Sequence, residues 1–213
     1  MTAESDTAVI AELLDSTAPT GGHLDTLRHR LVVKAGESGL LDIAYRLVDS
    51  PVGTLLLAAS RRGVIRVAYS NEDFPSVLDD LGKRVSPRIL HAPDRLDPAV
   101  RQLEEYFSGD RRRFDLPFDL RLTGGFRSQV VGYLASIGYA KTATYGEVAA
   151  AMQRPRAARA VGTACATNPL PLFFPCHRVV RSDGRTGAYL GGEDVKRQLL
   201  EMEMSAAQRA RSL

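Results

Sequence analysis

The chain has 213 residues, a mass of 23.2 kDa and a net charge of +3, with 44% hydrophobic and 25% charged residues. This composition excludes a disordered chain, which would lack the apolar surface that offsets the entropy of ordering. It also excludes a membrane span, because the longest uncharged run, residues 160–177, is interrupted by three prolines.

The chain has two cysteines, Cys165 and Cys176. Two cysteines are too few for a disulfide scaffold. Acidic residues come early and the first basic residue is Arg28, so we expect no secretory signal. The sequence therefore predicts a cytoplasmic protein whose thiols are reduced. Without further evidence, the two cysteines are best interpreted as small buried hydrophobic residues.

Positive charge is concentrated in the second half of the chain. Residues 123–213 carry 12 basic and 6 acidic side chains, whereas residues 1–122 carry 16 and 19. All the basic residues of 154–185 are arginines, the residue type suited to phosphate and base recognition. This distribution favours a nucleic-acid surface, although a general preference for arginine over lysine would give the same pattern.

The first half of the chain predicts a small α/β domain behind an N-terminal extension. Residues 1–41 have weak periodicity, with a short helix expected at 7–15. Alternation from Asp42 and a hairpin of 54–60 with 64–69 indicate an antiparallel sheet. Helices are expected at 72–84 and 97–108, the second ending at Gly109. The domain should span 42–122, with 114–120 as a linker because Pro117 interrupts regular structure.

The second half predicts a mainly helical domain over 123–205, followed by a tail, 206–213. A helix is expected at 128–137, and Thr144 with Glu147 forms a capping box for the next. After a break, Pro155 can begin a helix at 156–166. Its spacing places Ala157, Ala160, Val161 and Ala164 on one face and Arg156, Arg159 and Thr163 on another. Two short helices around a tight break outline a helix-turn-helix, although many helical hairpins bind nothing.

The chemistry is concentrated in the segment Pro175-Cys176-His177-Arg178. A cysteine reacts as its thiolate, and a neighbouring imidazole and positive charge lower the pKa of the thiol. Prolines and aromatic residues precede the cysteine and predict a stiff wall that excludes water. Taken alone, the tripeptide Cys176-His177-Arg178 favours a core cysteine beside an incidental His-Arg pair over a reactive one.

Several separated motifs surround this segment in the sequence. They are Arg156-Ala157-Ala158-Arg159-Ala160-Val161-Gly162, the segment 168–179, Thr144-Tyr145-Gly146-Glu147-Val148-Ala149, and Gly187-Ala188-Tyr189-Leu190-Gly191-Gly192 with Lys196, Leu199, Leu200 and Glu203. Together, in this register, they resemble the O6-alkylguanine-DNA alkyltransferase family. The strong resemblance covers about 126–204, and a weaker one extends to about residue 42. It implies an α/β N-terminal domain followed by a mainly helical, winged-helix-like DNA-binding domain that carries the active cysteine.

The resemblance also implies roles for the reacting groups. Cys176 would take the alkyl group from guanine O6, with His177 as its base through a bridging water. Glu203 would hold the charge on that histidine, and Asn168 would tie the recognition helix to the active-site turn. Such a relay follows the logic of other activated nucleophiles.

Further residues would contact the DNA and the base. Arg159 would enter the duplex where the damaged base leaves, and Tyr145 would help to flip that base and hydrogen-bond it. The backbone carbonyls of Cys176 and Val179 would read the guanine amino group. The O6 side of the pocket would be bordered by Tyr189 and Leu190. Thr144, Arg156 and Thr163 would complete the DNA contacts, in the minor groove.

The implied activity is single-turnover repair of O6-alkylguanine, and of O4-alkylthymine, in double-stranded DNA. The base must leave the stack, and the thioether product has no good leaving group, so no cofactor is expected. No metal-ligand cluster stands out in the sequence. We expect a monomer, with several copies side by side on DNA, and no membrane partner.

Three other functions fit the sequence less well. A non-catalytic binder of alkylated DNA with the same fold would lack the cysteine, so Cys176 argues against it. A cysteine hydrolase would leave the helix-turn-helix unexplained. A transcription factor would need a separate metal-cysteine domain, for which two cysteines do not suffice.

The chain also departs from the family pattern. Val131 stands where a tryptophan is frequent, and Gly138 where a proline is common. Leu190 occupies a position where the family usually has a small residue, so its larger side chain would narrow the pocket. Cys165-Ala166-Thr167 replaces a more polar end of the recognition helix, which puts DNA affinity in question more than the chemistry.

Overall fold

The computed structural model describes residues 21–210. The part of 1–41 that it describes and residues 42–210 belong to separate compact units. In the first unit, α1 runs over Gly21–Glu37. This helix was missed in the sequence, where 1–41 showed only weak periodicity, and the helix expected at 7–15 lies outside the described residues.

A four-stranded sheet forms the first layer of the second unit. Strands β1 (Ile43–Val48), β2 (Leu55–Ser60) and β3 (Gly63–Tyr69) are antiparallel neighbours, as predicted. A short strand, β4 (Ile89–His91), joins β1 in parallel, so the sheet is mixed and ordered β3-β2-β1-β4. Strand β4 was not predicted, because three residues are too few to show a periodic pattern.

Alternate residues of the sheet belong to two apolar layers. Leu55 and Leu57 lie on one face with Tyr69, while Leu56 and Ala68 lie on the other. Helix α2 (Phe74–Arg84) covers the second face, and α3 (Asp97–Ser108) the first. Because both faces are covered, β2 is buried along its whole length.

The segment 109–124 joins α3 to the helical domain and does not behave as the predicted linker. The backbone of Val64 in β3 exchanges hydrogen bonds with Pro117 and Asp119. Gly63 permits this approach, since a Cβ there would lie 2.0 Å from the Pro117 carbonyl oxygen. Phe118 packs against Phe174 two residues before the cysteine, so the segment connects the sheet to the cysteine turn.

The rest of the unit is mainly helical, as predicted. Its elements are α4 (Gly125–Leu134), β5 (Ala143–Thr144), α5 (Tyr145–Ala151), α6 (Ala158–Ala166), a 3₁₀ turn (Cys176–Arg178), β6 (Val179–Val180) and α7 (Glu193–Arg209). Strands β5 and β6 pair in parallel. Thr144 and Glu147 form the predicted capping box at the start of α5.

Three expectations for this region need correction. Helix α6 begins at Ala158, so Pro155 and Arg156 lie in the turn before it. Ala160, expected on the inward face, is exposed, because Val161, Ala164 and Cys165 form the buried face instead. Helix α7 continues to Arg209, into the segment expected to be a tail. The apolar layer on the inner face of the sheet continues among α4, α6 and α7, so one core carries both halves of the unit.

Candidate active site and nucleic-acid interface

Cys176 lies at the start of a buried turn that Asn168 holds in shape. The Asn168 side-chain amide donates to the Phe174 carbonyl at 2.8 Å and lies 3.3 Å from the Cys176 Sγ. Its oxygen accepts from the Leu170 amide at 3.0 Å. Leu172 has a φ of 73°, an unfavourable conformation for a branched side chain. The interactions of Asn168 therefore set the direction in which the thiol points.

His177 and Glu203 form a buried pair beside the cysteine. The His177 Nε2 lies 2.9 Å from Glu203 Oε1, and both side chains are fully buried. Since a carboxylate only accepts, Nε2 carries the proton and donates it. The other ring nitrogen, Nδ1, has no hydrogen-bond partner within the described residues. His177 is therefore arranged to accept a proton at Nδ1.

Three further groups hold the Glu203 carboxylate. The Tyr106 hydroxyl donates to Oε1 at 2.7 Å, and the Ala140 amide donates to Oε2 at 2.9 Å. The Arg178 guanidinium donates to both oxygens, at distances down to 2.8 Å. Ala140 directs its amide inward from a left-handed backbone conformation, with φ at 55°. Glu203 thus belongs to a network that joins α3, the 3₁₀ turn and α7.

The position of Arg178 corrects one expectation. Its adjacency to Cys176 suggested that its charge would lower the pKa of the thiol. The guanidinium instead binds Glu203 and the Ile137 carbonyl, the latter at 2.6 Å. Successive side chains of a 3₁₀ turn differ by about 120° in direction, so sequence neighbours face different partners.

Burial dominates the titration of the reacting groups. It raises the pKa of Cys176 to about 11, although the Asn168 hydrogen bond and the Lys196 charge act in the opposite direction. Burial also lowers the pKa of His177 below its usual value despite the Glu203 carboxylate. For Glu203, burial acts to raise the pKa, but hydrogen bonds from His177 and Arg178, together with the Arg178 charge, lower it to about 2. At neutral pH the site holds a neutral thiol, a neutral imidazole and a carboxylate.

The residues expected to border the substrate lie around this centre. The Tyr189 ring meets the His177 ring edge-on at 6.2 Å. Tyr145 lies near the same loop, since a Cβ on Gly187 would approach its hydroxyl to 3.2 Å. Leu190 is half-buried, and the Val179 carbonyl accepts from Lys196 Nζ at 2.7 Å. The fold therefore brings these residues together with Cys176 from distant parts of the sequence.

The residues expected to contact DNA lie on the surface formed by α5, α6 and the turn between them. Arg156, Arg159 and Thr163 are exposed. The Thr163 hydroxyl donates to the Arg159 carbonyl at 3.2 Å, and the Thr144 hydroxyl accepts from the Glu147 amide as the helix cap. The arginine side chains of this surface are free of ion pairs within the described residues. This surface presents positive charge beside the cysteine turn.

Sequence reasoning missed two contributors to the site. Tyr106 continues the buried spacing of Ala99, Val100 and Leu103 in α3, so its hydroxyl was not anticipated. Lys196 matched the family pattern but was given no role, and it is fully buried with Nζ bonded to the carbonyls of Val179 and Thr186. The signal for Lys196 was its position among apolar residues of the helix. A lysine buried there requires hydrogen-bond acceptors for its ammonium group.

The part of the chain that the structure describes contains neither a candidate metal site nor a candidate membrane span. Within residues 21–210, no three His, Cys, Asp or Glu side chains are grouped to hold a metal ion. In the same part of the chain, every helix is too short or too polar to cross a membrane.

Two family models match the chain. Residues 43–120 match the 6-O-methylguanine DNA methyltransferase, ribonuclease-like domain, and residues 125–205 match the DNA binding domain of the same family. The two matches fall on the sheet with its helices and on the helical region with the cysteine turn, respectively.

Named relatives agree with the family models. A methylated-DNA–protein-cysteine methyltransferase of Mycobacterium bovis is 38% identical over 168 residues, which cover 78% of this chain and 94% of the relative. The constitutive methylated-DNA–protein-cysteine methyltransferase of Bacillus subtilis is 34% identical over 75% of this chain and 94% of its own. The crystal structure of Mycobacterium tuberculosis OGT in complex with DNA superposes with a TM-score of 0.67 at 36% identity. That superposition covers 76% of this chain and 94% of OGT.

Proposed function

Because the chain belongs to the 6-O-methylguanine DNA methyltransferase family, we propose that it repairs alkylated duplex DNA by single-turnover alkyl transfer to Cys176. The substrates are O6-alkylguanine and O4-alkylthymine. The observation that carries the proposal is the buried His177, with Nε2 bonded to Glu203 and Nδ1 unpartnered within the described residues, directly after a buried cysteine. A base held in this tautomer suits activation of a neutral thiol.

The reaction balances without a cofactor. The thiol proton passes to His177 Nδ1 through a water, and Glu203 stabilises the imidazolium that forms. The Sγ–carbon bond forms as the carbon–O6 bond breaks, and the electron pair of the broken bond leaves with guanine. Guanine finally takes up the proton released by Cys176. The thioether lacks a good leaving group, so each protein molecule acts once.

Base recognition uses groups next to Cys176. The Cys176 carbonyl already accepts from the Val179 amide, and the Val179 carbonyl accepts from Lys196. Each carbonyl oxygen has a second lone pair, which can accept from the guanine amino group. The Leu190 amide and Tyr189 border O6, and Tyr145 hydrogen-bonds the flipped base. Leu190 narrows the space for the alkyl group.

Base flipping is assigned to α6 in the minor groove. Extrusion of the nucleotide costs a few kcal/mol, and Arg159 offsets part of this cost by filling the gap in the stack. Arg156, Thr163 and Thr144 hold the flanking backbone. The exposure of Arg159 on α6 supports this assignment.

The test is the mass of the intact protein after mixing with an O6-methylguanine duplex. One hydrogen should be replaced by one methyl group, and peptide mapping should locate it on Cys176. Cys165→Ser is the matched control and should still accept the methyl group, because the His177–Glu203 pair that activates the thiol lies directly after Cys176. Label on Cys165, or demethylation by Cys176→Ser, would contradict the proposal.

A further inference from the structure

Tyr69 connects the sheet domain to the loop that borders the cysteine. It is the last residue of β3 and is 1% exposed. Its hydroxyl lies 2.6 Å from the Tyr189 hydroxyl, and the two rings meet edge-on at 5.6 Å. Tyr69 therefore reaches, from the other half of the unit, a residue in contact with the His177 ring.

Two neighbouring contacts fix the same loop. The Asn71 side-chain amide donates to the Leu190 carbonyl at 2.8 Å. A Cβ on Gly191 would lie 3.0 Å from the Tyr69 ring, so the loop backbone packs directly on that ring. Three consecutive loop residues, 189–191, are thus held by Tyr69 and Asn71.

The turn that carries Tyr69 and Asn71 is itself fixed. The Tyr69 amide donates to the Glu72 carboxylate at 3.0 Å, and the Glu72 amide donates to the Tyr69 carbonyl at 2.9 Å. Arg66 also pairs with Glu72. The loop is therefore held by a turn that hydrogen bonds and an ion pair tie to β3.

We infer that Tyr69 is a positioning residue for alkyl transfer, which acts through Tyr189 to hold the loop 187–192 against the base pocket. This rests on the proposed function. Loss of the Tyr69 hydroxyl leaves the Tyr189 hydroxyl without its partner and releases one side of the loop. A small displacement of groups around the reacting atoms slows a reaction that depends on alignment. Burial raises the pKa of both tyrosines, so the pair stays protonated at neutral pH.

The first test is Tyr69→Phe, which keeps the ring and removes only the hydroxyl. With a saturating O6-methylguanine duplex, the rate of methyl transfer should fall about three- to tenfold, the worth of one hydrogen bond. Affinity for an undamaged duplex should not change, because Tyr69 is buried. Tyr45→Phe removes a hydroxyl from β1 of the same sheet and should transfer at the wild-type rate. Asn71→Ala, at an exposed position, should slow transfer by about the same factor as Tyr69→Phe.

A double-mutant cycle separates positioning from a general loss of packing. Rates are compared for Tyr69→Phe, Tyr189→Phe and the double variant, well below the melting temperature of each. If Tyr69 acts through Tyr189, the double variant should be no slower than Tyr189→Phe alone. Multiplicative losses in the double variant, or a wild-type rate in Tyr69→Phe, would overturn the inference. Absence of transfer by the wild-type protein would overturn the proposed function itself, which is a different result.

Discussion

Replacement of Glu203 by glutamine separates the role of this carboxylate in the fold from its role at His177. Four groups donate to Glu203: the Tyr106 hydroxyl, the Ala140 amide, the Arg178 guanidinium and the His177 Nε2–H. Glutamine offers one acceptor oxygen and places an NH₂ group where a second acceptor stood. In one orientation of the glutamine amide, the NH₂ group faces the Ala140 amide and the Arg178 guanidinium, which are themselves donors. In the other orientation, the NH₂ group donates to His177 Nε2. The imidazole proton then lies on Nδ1, the nitrogen that must be unprotonated for His177 to act as a base.

The magnitude follows from these contacts. Removing one partner of a buried ion pair costs about 3–5 kcal/mol of folding stability. Loss of the oriented base should lower the rate of alkyl transfer by about 10²–10⁴. Binding to an undamaged duplex should change little, since the Glu203 side chain is fully buried.

The assay is single-turnover transfer from an O6-methylguanine duplex, at a temperature where thermal melting shows each variant to be folded. Glu201→Gln, exposed on the same helix, removes the same charge and should match the wild type in rate and stability. If Glu203→Gln lost rate and duplex affinity by equal factors, Glu203 would only maintain the fold and its role at His177 would be wrong.

Two further predictions concern the DNA surface and acid stability. Arg159→Ala should slow repair of duplex DNA by about tenfold or more while sparing reaction with a free O6-alkylguanine base, whereas Arg156→Ala should only weaken duplex binding by about one phosphate contact. Equal losses of duplex repair in the two variants would refute the intercalating role. The pKa of Glu203 is lowered from 4.5 to about 2 in the folded protein, so the unfolded state binds more protons below about pH 4.5. The stabilisation by the Glu203 carboxylate is therefore present above that pH and is lost as the pH falls towards 2. The urea midpoint of Glu203→Gln should decline less steeply with falling pH than that of the wild type. Parallel declines in the two proteins would argue against this linkage.

Local patterns predicted much of the fold because their physics is local. The capping box needs only Thr144 and Glu147 at a fixed spacing, and Gly109 ends α3 in the expected left-handed conformation. Local patterns also predicted the helix-turn-helix and the order of the two domain types along the chain. The family resemblance stated from the sequence motifs is confirmed by the family models and the named relatives.

Features that depend on distant contacts were not accessible in this way. The segment 114–120 resembles a linker in sequence, yet it pairs with β3 because Gly63 lets a second backbone approach. The contact between Tyr69 and Tyr189 joins residues 120 positions apart. Neither residue carries a local signal of the other, since a tyrosine at the end of a strand is ordinary.

The structure changes the protonation state that the sequence suggested for the Cys176 thiol. Adjacent His177 and Arg178 suggested a thiol that is ionised at rest, but burial keeps Cys176 protonated and Arg178 neutralises Glu203 instead. In the reaction that we propose, a thiolate forms only when His177 accepts the proton, and the resulting imidazolium is stabilised by the carboxylate beside it. This arrangement suits the proposed single turnover, because a permanently ionised thiol would react with other electrophiles and each such event would consume a molecule. Low resting reactivity, together with an imidazole that is already oriented, would then reserve the proposed reaction of Cys176 for a nucleobase that has entered the pocket.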